Sequence, residues 1–148
     1  MIRLLMMMVA FVAVPTAAAQ SKVKNPFRVE AADLDLKPGA SGVVRITIAV
    51  PKDHHLYRDM MSVTVTEDGG LKAAEPSFPP GHVKPDPADP ETTREQYDMD
   101  VIIEVPVTAA DAAGDFPMKF AVKYQGCKKS LCWMPRTDEV EANVKVGG

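Results

Sequence analysis

The chain has 148 residues, 17 of them basic and 20 acidic, for a formal net charge of −3. The two signs are mixed along it, which argues against nucleic acid or an anionic lipid surface as the main partner. Thirteen prolines and 6% aromatics suit a turn-rich β domain better than a helical one.

Met1-Ile2-Arg3 supplies a short positive start, Leu4 to Val14 an apolar run, and Pro15 to Ala19 a stretch ending in small residues. Ala17 and Ala19 satisfy a small-x-small cleavage rule, so residues 1–19 read as a signal peptide cut before Gln20. An anchor left uncleaved is the alternative, although the run is short for a span of about 20 residues. Residues 20–148 are then expected to form one exported, soluble, monomeric domain that does not insert into the membrane, in a compartment where disulfides persist.

Period-two alternation runs through that domain. Phe27, Val29 and Ala31 open it, and Val44, Ile46, Ile48 and Val50 form a clean inward face. Val63 and Val65 follow, closed by the turn Asp68-Gly69-Gly70. Pro76 to Pro90, proline-rich and without an aromatic after Phe78, reads as an irregular loop. Tyr97, Met99, Val101, Ile103, Val105 and Val107 make the longest stripe, and Ala109 to Ala113 reads at most as a single helical turn. Phe116, Met118, Phe120, Val122 and Tyr124 make another stripe, and Val140, Ala142, Val144 and Val146 close the chain. Six to eight such strands predict an all-β fold, an antiparallel immunoglobulin-like β-sandwich.

The stripe ending at Tyr124 leads into the only cysteines, Cys127 and Cys132, with four residues between them. That spacing lets the sulfurs meet across a tight hairpin, but so small a loop gives little chain-entropy stabilisation. Such a pair suits making and breaking better than holding a fold. A fixed disulfide stapling a surface hairpin remains open, as does a metal site. Zinc would need His54, His55 or His82 beside two thiolates, and copper(I) could draw on Met60, Met61 and Met134. No histidine follows Cys127 at the short spacing of a cupredoxin ligand loop. No metal and no cofactor is expected.

The block Tyr124-Gln125-Gly126-Cys127, with Cys132 followed by Trp133 and Pro135, resembles the amino-terminal periplasmic domain of the thiol:disulfide interchange protein DsbD. His54-His55-Leu56-Tyr57-Arg58 is similar to that family's Leu-Tyr-Arg segment, and Phe78-Pro79-Pro80-Gly81 and Tyr97 fall in the expected order. The resemblance implies a sandwich with an exchangeable disulfide at one end, taking electrons from a thioredoxin-like domain and passing them to periplasmic proteins of thioredoxin fold. These include disulfide isomerases and reductants of cytochrome c maturation. It assigns the mixed disulfide with partners to Cys132 and the intramolecular mate to Cys127, with Tyr57, His55, Tyr124, Gln125, Gly126, Trp133 and Pro135 around them.

Three departures stand out. The family's membrane conduit and carboxy-terminal thioredoxin-like domain have no counterpart in this sequence, so a separate membrane thiol transporter is the expected donor. The segment matching the family's cap loop, Lys84 to Thr93, has no aromatic to lay over the disulfide. His55 stands where the family commonly has tyrosine. The neighbours also have plainer readings: Tyr57 and Tyr124 as core-edge residues with hydroxyls in water, Trp133 as packing, His54 and His55 as solvated loop residues, Lys128 and Lys129 as a polar turn. Asp86 and Asp89 would disfavour a thiolate if they hung over the pair. A non-catalytic exported binding or adaptor module with a structural disulfide is the rival function.

Overall fold

A computed structural model describes residues 24–147; the predicted leader and its cleavage point lie outside them. Within these residues thirteen strands follow one another. They are β1 (Arg28–Ala31), β2 (Leu34–Leu36), β3 (Ser41–Ala49), β4 (His54–Tyr57), β5 (Ser62–Glu67), β6 (Lys72–Ala73) and β7 (His82–Asp86). Then come β8 (Asp89–Tyr97), β9 (Val101–Thr108), β10 (Gly114–Tyr124), β11 (Gly126–Lys128), β12 (Leu131–Cys132) and β13 (Arg136–Val146).

Two four-stranded sheets, ordered β1-β3-β9-β6 and β2-β13-β10-β5, supply the two walls of one hydrophobic core. Val44, Ile46 and Ile48 with Val101, Ile103, Val105 and Val107 line the first wall; Met118, Phe120, Val122, Ala142 and Val144 line the second. All are fully or almost fully buried, as alternation along a half-buried strand requires. Pairing is antiparallel except for β2 beside β13. The predicted immunoglobulin-like sandwich is the observed architecture.

A third sheet, β12-β11-β4-β8-β7, carries the cysteines. Short connections make it continuous with the walls: β3 leads to β4, β4 to β5, β8 to β9, β10 through Gln125 to β11, and β12 to β13. Leu56 of β4 and Tyr97 of β8 belong to the common core, so the third sheet is seated on the sandwich rather than hung from it.

Three predicted features differ. The segment read as a loop to Pro90 contains the β7–β8 hairpin, with Pro85 opposite Thr93 and a register shift at Pro85/Asp86. Proline is tolerated there because β7 is an edge strand with no outer neighbour to receive its missing N–H. The long stripe from Tyr97 to Val107 is broken at residues 98–100, where Asp100 Oδ1 accepts the Val50 N–H at 2.9 Å and Met99 is 64% exposed. That break lets the chain pass from the third sheet into the first. Ala109 to Ala113 forms no helical turn.

Candidate redox site

Tyr124 ends β10 inside the core, its hydroxyl donating to Asp138 at 2.8 Å, and Asp138 in turn pairs with Arg136. Burial first, then Asp138, pushes that phenol well above its usual range. Gly126 follows with Phe27 laid against it, so close that a Cβ on residue 126 would overlap the Phe27 ring. Phe27 is a hub: its ring meets Tyr124 at 6.0 Å, Trp133 at 5.9 Å and His54 at 5.6 Å, all edge-on. Trp133 also stacks on His54 at 5.5 Å.

From Gly126 the chain makes a hairpin with a two-residue turn at Lys129-Ser130, Lys129 taking a left-handed φ of 54°. Cys127 and Cys132 stand directly opposite each other, Cα to Cα 4.0 Å, and are joined at S–S 2.03 Å. Beyond the turn the Trp133 N–H donates to Gly126 O (2.9 Å) and Gln125 Nε2 to Trp133 O (3.1 Å), fastening the returning chain to the block before Cys127. The Tyr-Gln-Gly-Cys residues thus act as a frame for the hairpin.

The two sulfur-bearing residues differ in exposure. Cys127 is fully buried and Cys132 is exposed. Around Cys132 the surface is apolar: Leu131 is 77% and Met134 84% exposed, and a hollow of about 330 Å³ is lined by Lys128, Leu131, Cys132 and Trp133. Pro135 follows on the same exposed stretch. Of the two joined residues, Cys132 is thus the one that lies open to the surroundings, and Cys127 lies behind it.

On its other side β11 pairs with β4, matching Cys127 with His55 and Lys128 with His54. Directly opposed side chains share a face, so His55, Cys127 and Cys132 form a row on one face of the third sheet while His54 lies on the other. His82 sits on β7, two strands beyond β4, beside Asp98. Of the three histidines weighed as zinc ligands, His55 is thus the one beside the sulfurs on their face, with His54 on the other face and His82 farther along the sheet.

The reading of His55 as a solvated loop residue is corrected: it is 7% exposed, within β4, its ring 5.0 Å from that of Tyr57. Burial lowers its pKa, Asp86 and Asp98 opposing the shift and Lys84 and Arg94 adding to it. The tyrosine hydroxyls do not simply end in water either. Tyr57 donates to Asp86 Oδ1 at 2.6 Å, and the Arg94 guanidinium lies 3.6 Å above its ring while also pairing with Asp86 and Asp59. Burial and then Asp86 raise the Tyr57 phenol to about 12. Asp86 is held below the usual carboxylate range by the Tyr57 hydroxyl, then by the Ala88 N–H and Arg94. Its carboxylate is thus committed to Tyr57, Ala88 and Arg94, and Asp89 is exposed at the far end of the hairpin turn.

Phe27, Arg94 and Asp138 escaped the sequence reading as site residues. Phe27 was visible only as a member of an alternating strand, and the contacts of Arg94 and Asp138 join positions no local pattern connects.

Comparison with known proteins matches residues 23–143 to the family model described as thiol:disulfide interchange protein DsbD, N-terminal. The fold is similar to that of the Neisseria meningitidis DsbD N-terminal domain in its reduced form, at 20% identity and a TM-score of 0.51, covering 75% of this chain and 82% of that one. It is also similar to the complex between the DsbD and PilB N-terminal domains of the same organism, at 19% identity and a TM-score of 0.56, covering 81% and 87%. Among curated proteins no match was found. With the family model spanning most of the sequence, and a disulfide held in the very block that suggested it, the chain belongs to the family of the N-terminal domain of the thiol:disulfide interchange protein DsbD.

Proposed function

We propose that this chain is a periplasmic thiol–disulfide exchange domain, a protein-disulfide reductase component that passes reducing equivalents between thioredoxin-like proteins through a reversible Cys127–Cys132 bond. The observation that carries the reading is the unequal exposure of the two cysteines beside an apolar surface. A donor thiolate attacks Cys132 Sγ, forming a mixed disulfide and expelling Cys127 as thiolate. A second donor thiol then attacks its own sulfur in that mixed disulfide, leaves the donor oxidised, and releases Cys132 reduced. In the onward transfer Cys132 attacks the recipient's disulfide, and Cys127 attacks Cys132 to release the recipient as a dithiol. Two electrons move in each half. Leu131, Trp133, Met134 and Pro135 form the docking rim; Gln125, Gly126 and Tyr124 hold the hairpin; Tyr57 and His55 back the buried sulfur.

The donor in this reading is a separate membrane thiol transporter, and the recipients are thioredoxin-fold proteins, including isomerases and those serving cytochrome c maturation. The similar Neisseria domain is seen with the PilB N-terminal domain, which favours a protein partner. Residues 1–19 direct export and are removed before Gln20, leaving residues 20–148 as a monomer. The test is to equilibrate the purified domain with thiol buffers of graded potential and then offer the reduced form an oxidised thioredoxin-fold protein. A potential above about −300 mV with transfer to that protein is expected. A potential well below that value without transfer would identify a fixed staple in an adaptor module.

A further inference from the structure

His55 is about nine-tenths buried, and its Nε2 is sealed from solvent without a hydrogen-bond partner among the described residues. A buried polar nitrogen left unpaired costs stability, so its retention needs a reason outside the disulfide form. The register supplies one. His55 is the direct cross-strand neighbour of Cys127, on the same face of the sheet, with Cβ atoms of such pairs about 4.5–5.5 Å apart. An imidazole is long enough to cover that gap. Cys127 is itself fully buried, so a thiolate formed there has no water to stabilise it.

We propose that His55 is the acid–base partner of Cys127, holding the proton while Cys127 is a thiolate and returning it when the disulfide closes. The inference rests on the exchange function proposed above and assigns a further residue to it. When a partner thiolate attacks Cys132 Sγ, the partner sulfur–Cys132 bond forms and the Cys127–Cys132 bond breaks. The electron pair of the broken bond stays on Cys127 Sγ as thiolate, and His55 Nε2 takes up the proton that the partner thiol gave to water when it ionised. A neutral ring beside a disulfide becomes an imidazolium beside a thiolate. In the opposite step the Cys127 thiolate attacks Cys132 Sγ, the partner sulfur leaves with the bonding pair as thiolate, and His55 returns its proton to water.

The groups facing the imidazole fit this cycle. Tyr57 stands beside it on β4, Asp86 and Lys84 act from β7, Arg94 from β8 and Asp98 from the connection after β8. In the disulfide form burial outweighs the two carboxylates and keeps the ring neutral. Only a new anion next to it, the Cys127 thiolate, turns the balance toward the charged ring.

Two measurements test the pair without any partner protein. In the Cys132→Ser variant Cys127 is the single thiol, and its ultraviolet thiolate absorbance can be followed against pH. Adding His55→Phe should move the midpoint upward by about one pH unit or more, with His55→Gln moving it in the same direction. In the unsubstituted protein, the ring resonance of the buried histidine should titrate about one unit higher after reduction of the disulfide than before it. Unmoved midpoints in both experiments would overturn the proposal. Shifts in both, with no transfer to a thioredoxin-fold protein, would sink the exchange function and leave the His55–Cys127 pair standing; transfer without the shifts would do the reverse.

Discussion

Phe27, one residue ahead of β1, lies against the bare backbone of Gly126, one residue before the buried cysteine. Glycine is needed here for close approach rather than for a special backbone angle, since the ring occupies the space a Cβ would take. The contact locks the start of the domain onto the hairpin that carries the disulfide.

Gly126→Ala should therefore destabilise the domain by about 1–3 kcal/mol, the usual range for overpacking. The cost should shrink in a Phe27→Ala background, because the side chain that clashes is gone. Denaturant unfolding of the two single variants and the double variant measures the coupling. Additive losses would show that the clash is relieved elsewhere.

The Tyr57–Asp86–Arg94 cluster gives stability a pH signature. Asp86 has a depressed folded pKa, so its contribution is complete above the ordinary carboxylate value of about 3.9 and fades as pH falls through the folded value. His55 is depressed too, so the unfolded chain takes up its proton first; stability is complete above about 6.5 and declines as pH falls below it. Asp86→Ala should cost about 1–3 kcal/mol near neutrality by stranding the Tyr57 hydroxyl. The gap to the parent should narrow in strong acid, while His55→Phe should remove the decline between neutral and mildly acid pH. Thermal midpoints across that range decide both; a gap for Asp86→Ala that stays constant into strong acid would contradict the assignment.

The sandwich was legible because its strands have one dry face and one wet face, as in β3, where Val44, Ile46 and Ile48 are fully buried and Arg45 is exposed. The β7–β8 hairpin lacks that signal. Most of its residues are exposed on an edge strand and its neighbour, so nothing forces apolar alternation, and its prolines imitate a loop. His55 was misread for a related reason: two adjacent histidines look solvated, yet strand parity puts one on the face with Cys127 and the other against Phe27 and Trp133. The pairing of the cysteines was visible from spacing and motif, whereas their unequal exposure depends on which side of the hairpin the third sheet continues.

Reduction should leave the fold intact. The disulfide closes a loop of only a few residues, worth on the order of 2 kcal/mol in the chain-entropy model. The core of the two walls is formed by residues far from it, and Gln125, Trp133 and Gly126 keep the hairpin fastened by hydrogen bonds of their own. Oxidised and reduced protein should both unfold cooperatively in denaturant, with stabilities differing by about that amount. Collapse of the domain on reduction at room temperature would make the pair a structural staple.

The exposure difference also predicts which cysteine captures a partner. In Cys127→Ser the remaining thiol is the exposed Cys132, beside Leu131 and Met134, so it can attack a partner's disulfide. No second thiol is left to resolve the adduct internally, so the mixed disulfide should persist. In Cys132→Ser the remaining thiol is buried Cys127, on the sealed side of the hairpin, and adducts should be scarce. Incubating each variant with an oxidised thioredoxin-fold protein and separating the products without reductant reads the outcome directly. Adding Leu131→Ser to Cys127→Ser should slow capture by the protein while leaving reaction with a small disulfide little changed, because only the protein needs the apolar rim. Equal capture by the two cysteine variants would show that exposure in the oxidised form does not set the order of attack.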